Sequence, residues 1–128
     1  MKKASLAGGA ASELTRAADR YQKAAAVSQR LLATDAAHLA AVNSRLLQSE
    51  RQFIDEAGLP RRPWYRHLLY APGFYTGYGV KTMPGVREAI EDQRYGEVER
   101  EVVRVAAALA RETALLDGLS KELERLPQ

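Results

Sequence analysis

Residues 97–126 read EVEREVVRVAAALARETALLDGLSKELERL, and the spacing of their apolar side chains decides the fold class. Positions 98, 102, 105, 109, 112, 116, 119, 123 and 126 alternate steps of four and three. Eight of the nine are aliphatic, namely Val98, Val102, Val105, Leu109, Leu116, Leu119, Leu123 and Leu126, and only Glu112 interrupts them. A 3.5-residue repeat of this kind belongs to a helix packed lengthwise against other helices, as in a bundle. A second stripe, Val103, Ala106, Ala107, Ala110, Ala114 and Leu115, widens the apolar surface beyond one core face. Two readings of that width stand: part of the helix meets another protein surface, or the helix is central to its own bundle.

Working back towards the N-terminus, two further helices are expected. The first runs from about Ser12, as N-cap, to Ala33, with Leu14, Ala18, Tyr21, Ala25 and Leu32 on one face. Residues 1–11 precede it as a flexible or non-native segment, and residues 12–128 form the domain. Thr34 and Asp35 cap a second helix that carries Leu39, Val42, Leu46 and Phe53 on one face and reaches about Asp55. Gly58 and Pro60 then end it. So short a connection makes the two helices antiparallel neighbours. Beyond residue 83, Pro84 suits a first helical turn, Val86 and Ile90 give a brief apolar stripe, and Arg94 to Gly96 form a hinge. The expected architecture is all-α, an up-down bundle of about four helices with a long ordered loop between the second and third.

That loop departs in composition from everything around it. From Gln52 to Val86 the chain reads QFIDEAGLPRRPWYRHLLYAPGFYTGYGVKTMPGV, and six of the nine aromatic residues lie between Trp64 and Tyr78. Residues 57–87 hold five cations, Arg61, Arg62, Arg66, Lys81 and Arg87, and no carboxylate. The other 14 basic and 16 acidic residues sum to −2, so the net charge of +3 is local to this stretch. Such a segment is expected to face something negative. Its glycines and prolines exclude a continuous helix, while so many rings argue for order.

Catalytic signatures are missing. The two histidines, His38 and His67, do not form an H-E-x-x-H pair, no acidic residue shares the immediate stretch of His67, and cysteine is absent. No G-x-S-x-G elbow and no phosphate-cradling G-x-x-x-x-G-K occur. His38 suits a solvated helix face, and Asp55 with Glu56 suits a cap or salt bridge. No apolar run approaches the ~18 residues of a membrane span. For Arg61, Arg62 and Arg66 the plain expectation is pairing with Glu50, Asp55 or Glu56, or with a neighbouring domain. Trp64 is expected to anchor the loop on the bundle.

The run FID..GLP.RP.YRH..YAP......Y.....PG is carried by Phe53, Ile54, Asp55, Gly58, Leu59, Pro60, Arg62, Pro63, Tyr65, Arg66, His67, Tyr70, Ala71, Pro72, Tyr78, Pro84 and Gly85. It resembles the transferrin-receptor-like dimerisation domain at the C-terminus of glutamate carboxypeptidase and its zinc peptidase relatives. The resemblance implies a homodimer, and it implies that the zinc ligands and catalytic base lie in an upstream peptidase domain of the same polypeptide. This chain would then not be an enzyme by itself, whereas its parent would be a carboxypeptidase or aminopeptidase. In such relatives a Lys-Tyr pair after the YAP motif grips a substrate carboxylate. Here that pattern falls on Gly77 and Tyr78, so the tyrosine is kept and the lysine lost. Tyr78, Gly77, Tyr70, His67 and Lys81 are the implied substrate-contacting residues, with Lys81 or Arg66 placed to compensate for the lysine.

Two other classes remain beside it. A basic, ring-rich loop suits single-stranded nucleic acid, against which the excess charge is modest and the helices show no basic stripe. A wide Ala/Leu helix face suits a stand-alone adaptor that docks a partner helix.

Overall fold

The structure is a computed structural model of the chain and describes residues 2–25 and 36–125. Its elements in order are α1 (Lys2–Ala25), α2 (Ala36–Leu46), a 3-10 turn (Glu50–Phe53), β1 (Tyr70–Pro72), β2 (Val80–Thr82), α3 (Pro84–Glu91) and α4 (Tyr95–Glu124). The fold is therefore largely helical but not purely all-α, because β1 and β2 pair as a small antiparallel sheet within the long loop. Their register places Tyr70 opposite Thr82, Ala71 opposite Lys81 and Pro72 opposite Val80.

The α4 repeat does what its spacing predicts. Val102, Val105, Leu109, Leu116, Leu119 and Leu123 are all buried and Val98 is half-buried. Leu126 lies outside the described residues. One core cluster gathers Phe53, Leu59, Leu68, Ala71 and Val86 around the N-terminal half of α4. A second joins Val42 of α2 to Leu116, Leu119 and Leu123, with half-buried Tyr21 of α1 touching both clusters. α1 differs from expectation at both its start and its face. It begins at Lys2, so Ser12 lies inside the helix and the segment expected as a flexible lead-in is helical from Lys2 onward. The two glycines at 8 and 9 oppose this by only about 1 kcal/mol each. Ala17, not Ala18, is the buried alanine, between half-buried Leu14 and Tyr21. The Thr34 and Asp35 cap and the turn between α1 and α2 lie outside the described residues.

From α2 onward the chain runs antiparallel to α4 and is fastened to it at each step. Arg45 meets Glu122, Ser49 Oγ donates to Glu112, and Arg111 donates to the Gln52 carbonyl at 2.7 Å. Arg104 bonds Asp55 Oδ2 at 3.2 Å and the Gly58 carbonyl at 2.6 Å, and Arg61 pairs with Glu97 at 3.0 Å. The second helix stops at Leu46, short of the expected Asp55, and the following residues turn through the 3-10 segment. α3 starts with proline in its first turn, as expected. Gly85 stands where a Cβ would lie 2.5 Å from Glu101 Oε2, so glycine lets this buried carboxylate reach the positively polarised end of α3.

Candidate functional site

The long loop consists of two excursions. In the first, residues 53–68, the chain closes on itself: Leu68 N–H donates to the Phe53 carbonyl, Asp55 N–H to Arg66 and Leu59 N–H to Tyr65, at 2.8–2.9 Å. Gly58 permits the turn, with φ of +69° and a would-be Cβ 2.2 Å from the Pro63 carbonyl oxygen. The second is the β1–β2 hairpin. Gly73 N–H donates to the Gly79 carbonyl at 2.9 Å, which closes the base of the tip formed by residues 74–79.

One buried ion pair holds both excursions to α3. Arg62 is 3% exposed, and its Nη2 lies 2.7 and 2.8 Å from the two carboxylate oxygens of Glu88. Its Nη1 donates to the Pro72 carbonyl at the end of β1. Glu88 Oε1 also accepts the Phe74 N–H at 2.8 Å, the first residue of the tip. The guanidinium further lies 5.5 Å from the Tyr65 ring centre and 5.7 Å from that of Phe74. Glu88 was absent from the sequence-based expectations, and a partner 26 positions away has no local signature.

The cations expected to face a negative partner are instead met by acids of the same chain. Arg61 pairs with Glu97, Arg62 with Glu88, Arg66 with Glu56, and both Lys81 and Arg87 with Glu91. Of the three acids expected to receive the arginines, only Glu56 does so. Apart from Arg66, which pairs with Glu56 of the loop itself, the positive charge of the segment is thus balanced by α3 and the first turn of α4, over which the loop is folded. Arg61 and Arg94 hold the Glu97 carboxyl below the usual carboxylate range, and Lys81 and Arg87 do the same for Glu91.

The five implied substrate-contacting residues separate into three places. Tyr78 is fully exposed at the crest of the tip, beside Gly77, whose φ is +68° and whose would-be Cβ meets nothing within 4 Å. Phe74 and Tyr75 lie earlier in the same tip, their rings edge to face at 4.9 Å, and Tyr75 is 75% exposed. His67 and Tyr70 instead stack at 4.0 Å and converge on Glu50 of the 3-10 turn. Tyr70 Oη donates to Glu50 Oε1 at 2.5 Å, and His67 Nε2 lies 2.9 Å from the same oxygen. Because His67 Nδ1 accepts the Leu69 N–H at 3.2 Å, the neutral ring carries its proton on Nε2 and donates to Glu50. The Tyr70 hydrogen bond lowers the Glu50 carboxyl pKa, and Glu50 in turn raises that of the Tyr70 hydroxyl. Lys81 is in a third position, its stem packed across Gly73 and its ammonium on Glu91.

Two further expectations are corrected. Trp64 is 70% exposed and does not anchor the loop, a task met by Leu59, Leu68 and Arg62. On α4, Ala106 is buried in the chain's own core, whereas Val103, Ala107, Ala110 and Ala114 form an exposed stripe and Leu115 is half-buried against the second cluster. Among the described residues, no three His, Cys, Asp or Glu side chains gather as a metal site, and no helix is long and apolar enough to cross a membrane.

The family model of the transferrin receptor-like dimerisation domain matches residues 5–117. The chain belongs to that family. A probable glutamate carboxypeptidase of Arabidopsis thaliana is 37% identical to this dimerisation domain over 84 residues, covering 60% of the chain and 12% of the relative. A probable glutamate carboxypeptidase of Zea mays is 31% identical over 107 residues, 78% of the chain and 14% of the relative. An inactive zinc metalloprotease of Schizosaccharomyces pombe is 42% identical over 72 residues, 54% of the chain and 9% of the relative. The dimerisation domain thus spans about a tenth of the length of the relatives it matches.

Proposed function

We propose that this chain is the non-catalytic dimerisation module of a glutamate carboxypeptidase-like zinc peptidase, and that its hairpin tip completes the substrate pocket of a neighbouring peptidase domain. On this reading zinc and the catalytic base would reside in that domain rather than in this chain. The observation that carries the pocket reading is the contrast between the base and the crest of the hairpin. Phe74 N–H on Glu88 and Pro72 on Arg62 fasten the base, while Tyr78 projects its whole side chain outward. A rigid mount with an exposed hydroxyl is what positioning a ligand requires. The exposed stripe Val103, Ala107, Ala110 and Ala114 supplies small side chains along one helix face, which suits close approach of a second copy.

The pocket reading is tested by steady-state kinetics of the full-length protein carrying Tyr78→Phe. A raised KM or lowered kcat, with unchanged thermal stability, is the expected result. Unchanged kinetics would remove Tyr78 from the site.

A further inference from the structure

We propose that the substrate side chain met by this tip is uncharged and apolar, and that the tip selects against an acidic one. The proposal rests on the pocket reading above and assigns the substrate class for that same surface. Lys81 is the only cation on the hairpin from Tyr70 to Thr82. It is turned away from carboxylate-binding work: its stem crosses the glycine at the base of the tip, its side chain is 13% exposed, and its ammonium is held by Glu91. Arg62, the cation beneath Phe74, is buried and has both Glu88 oxygens on one nitrogen. A carboxylate arriving at the tip would therefore have to displace an acid of the protein itself from either cation.

What the tip does present is ring surface. Phe74 is held by its backbone on Glu88, Tyr75 lies edge-on against it, and Tyr78 stands clear of both. Aromatic faces and edges bind aliphatic and aromatic side chains through area and ring geometry. A phenol hydroxyl adds one neutral hydrogen bond, which is weak compensation for stripping water from a carboxylate. Gly77 marks the point where this selectivity is open to change, since a side chain there would enter empty space beside Tyr78.

The test uses the full-length protein and two matched sets of short peptides, one varied at the first residue and one at the last, each as Glu, Leu and Phe. Affinity is measured by calorimetry, so that the result does not depend on turnover. In the set that binds, the Phe or Leu peptide is expected to bind at least about tenfold more tightly than the Glu peptide. Tyr75→Ala and Tyr78→Ala should each reduce that preference, and Gly77→Lys should narrow it by strengthening the Glu peptide. A Glu peptide bound as well as or better than Phe and Leu, while Tyr78→Ala still weakens binding, overturns the selectivity and leaves the pocket reading intact. If neither Tyr75→Ala nor Tyr78→Ala changes the affinity of any peptide, or no peptide binds, the pocket reading falls and the selectivity with it.

Discussion

Removing the carboxylate of Glu88 should be among the most damaging single changes in this chain. In Glu88→Leu the guanidinium of Arg62 stays buried at 3% exposure with no counter-charge, and the Phe74 N–H loses its acceptor. Breaking a buried pair from one side costs about 3–5 kcal/mol. That is a large part of the 5–15 kcal/mol by which a domain is ordinarily stable. At roughly 2.1 cal/mol/K of unfolding entropy per residue over 128 residues, the loss corresponds to a fall in Tm of about 11–19 °C. Urea denaturation should show a lower midpoint at unchanged slope, because the surface exposed on unfolding is the same. The double variant Arg62→Met/Glu88→Leu separates charge from shape. It removes the orphaned cation and should recover most of the loss, short of the ~1–3 kcal/mol owed to the unpaired Pro72 carbonyl and Phe74 N–H. A Glu88→Leu variant within about 1 kcal/mol of the parent, or a double variant no better than the single, would refute this account of the loop.

Gly58→Ala and Gly77→Ala place the same side chain at nearly the same positive φ, but only at Gly58 does the Cβ strike backbone, 2.2 Å from Pro63 O. Denaturation should rank them clearly, about 1 kcal/mol for Gly77→Ala and more than 2 kcal/mol for Gly58→Ala, and the reverse order would contradict the geometry. Asp55 feels burial, which raises its pKa, but Arg104 and the Ala57 N–H outweigh it and hold the carboxyl below its ordinary value. Glu50 and Glu97 are lowered as well. The unfolded chain therefore binds more protons than the folded one just below the usual carboxylate range, so these groups stabilise above it, and that stability is lost as pH falls through the lowered folded values. Asp55→Asn should flatten the acid limb of a stability-against-pH curve, and an unchanged limb would remove Arg104 as the cause. Ala110→Glu puts a charge on the exposed stripe of α4 twice in a symmetric dimer, and sedimentation velocity should show self-association weakened by at least about tenfold at unchanged Tm.

How far the sequence could be read followed the range of the interactions involved. The α4 repeat was legible because burial along a helix follows its own period, and residues from Val102 to Leu123 obey it. Even its exception has a cause, since Glu112 accepts the Ser49 hydroxyl inside the seam. Among alanines the period loses its meaning. Ala17 and Ala18, or Ala106 and Ala107, differ by 100° around a helix and by nothing in chemistry, so only the packed partner decides which is buried. The strands escaped notice because three residues each, within a stretch of glycine and proline, show no alternation. A lone hairpin of that length depends on the helix beneath it. The order of the loop was readable from its rings, but its electrostatics were not. A +5 segment looks like a docking surface until Glu88, Glu91 and Glu97 fold under it.

Those ion pairs link the two properties of the site that matter most. The acids that fasten the loop are the ones that silence its cations, so rigidity at the base and neutrality at the crest arise from the same contacts. A nucleic acid drawn to this loop would have to compete with Glu88 for a guanidinium already desolvated, and with Glu91 for Lys81. The surface that needs no such competition is the one formed by Tyr75, Tyr78 and the exposed part of Phe74. Electrostatics leaves the hairpin tip with ring faces and the hydroxyls of Tyr75 and Tyr78, its two most exposed rings. On the proposed reading, selectivity there would turn on the shape and polarity of an uncharged partner, and a single cation introduced at residue 77 should be enough to disturb it.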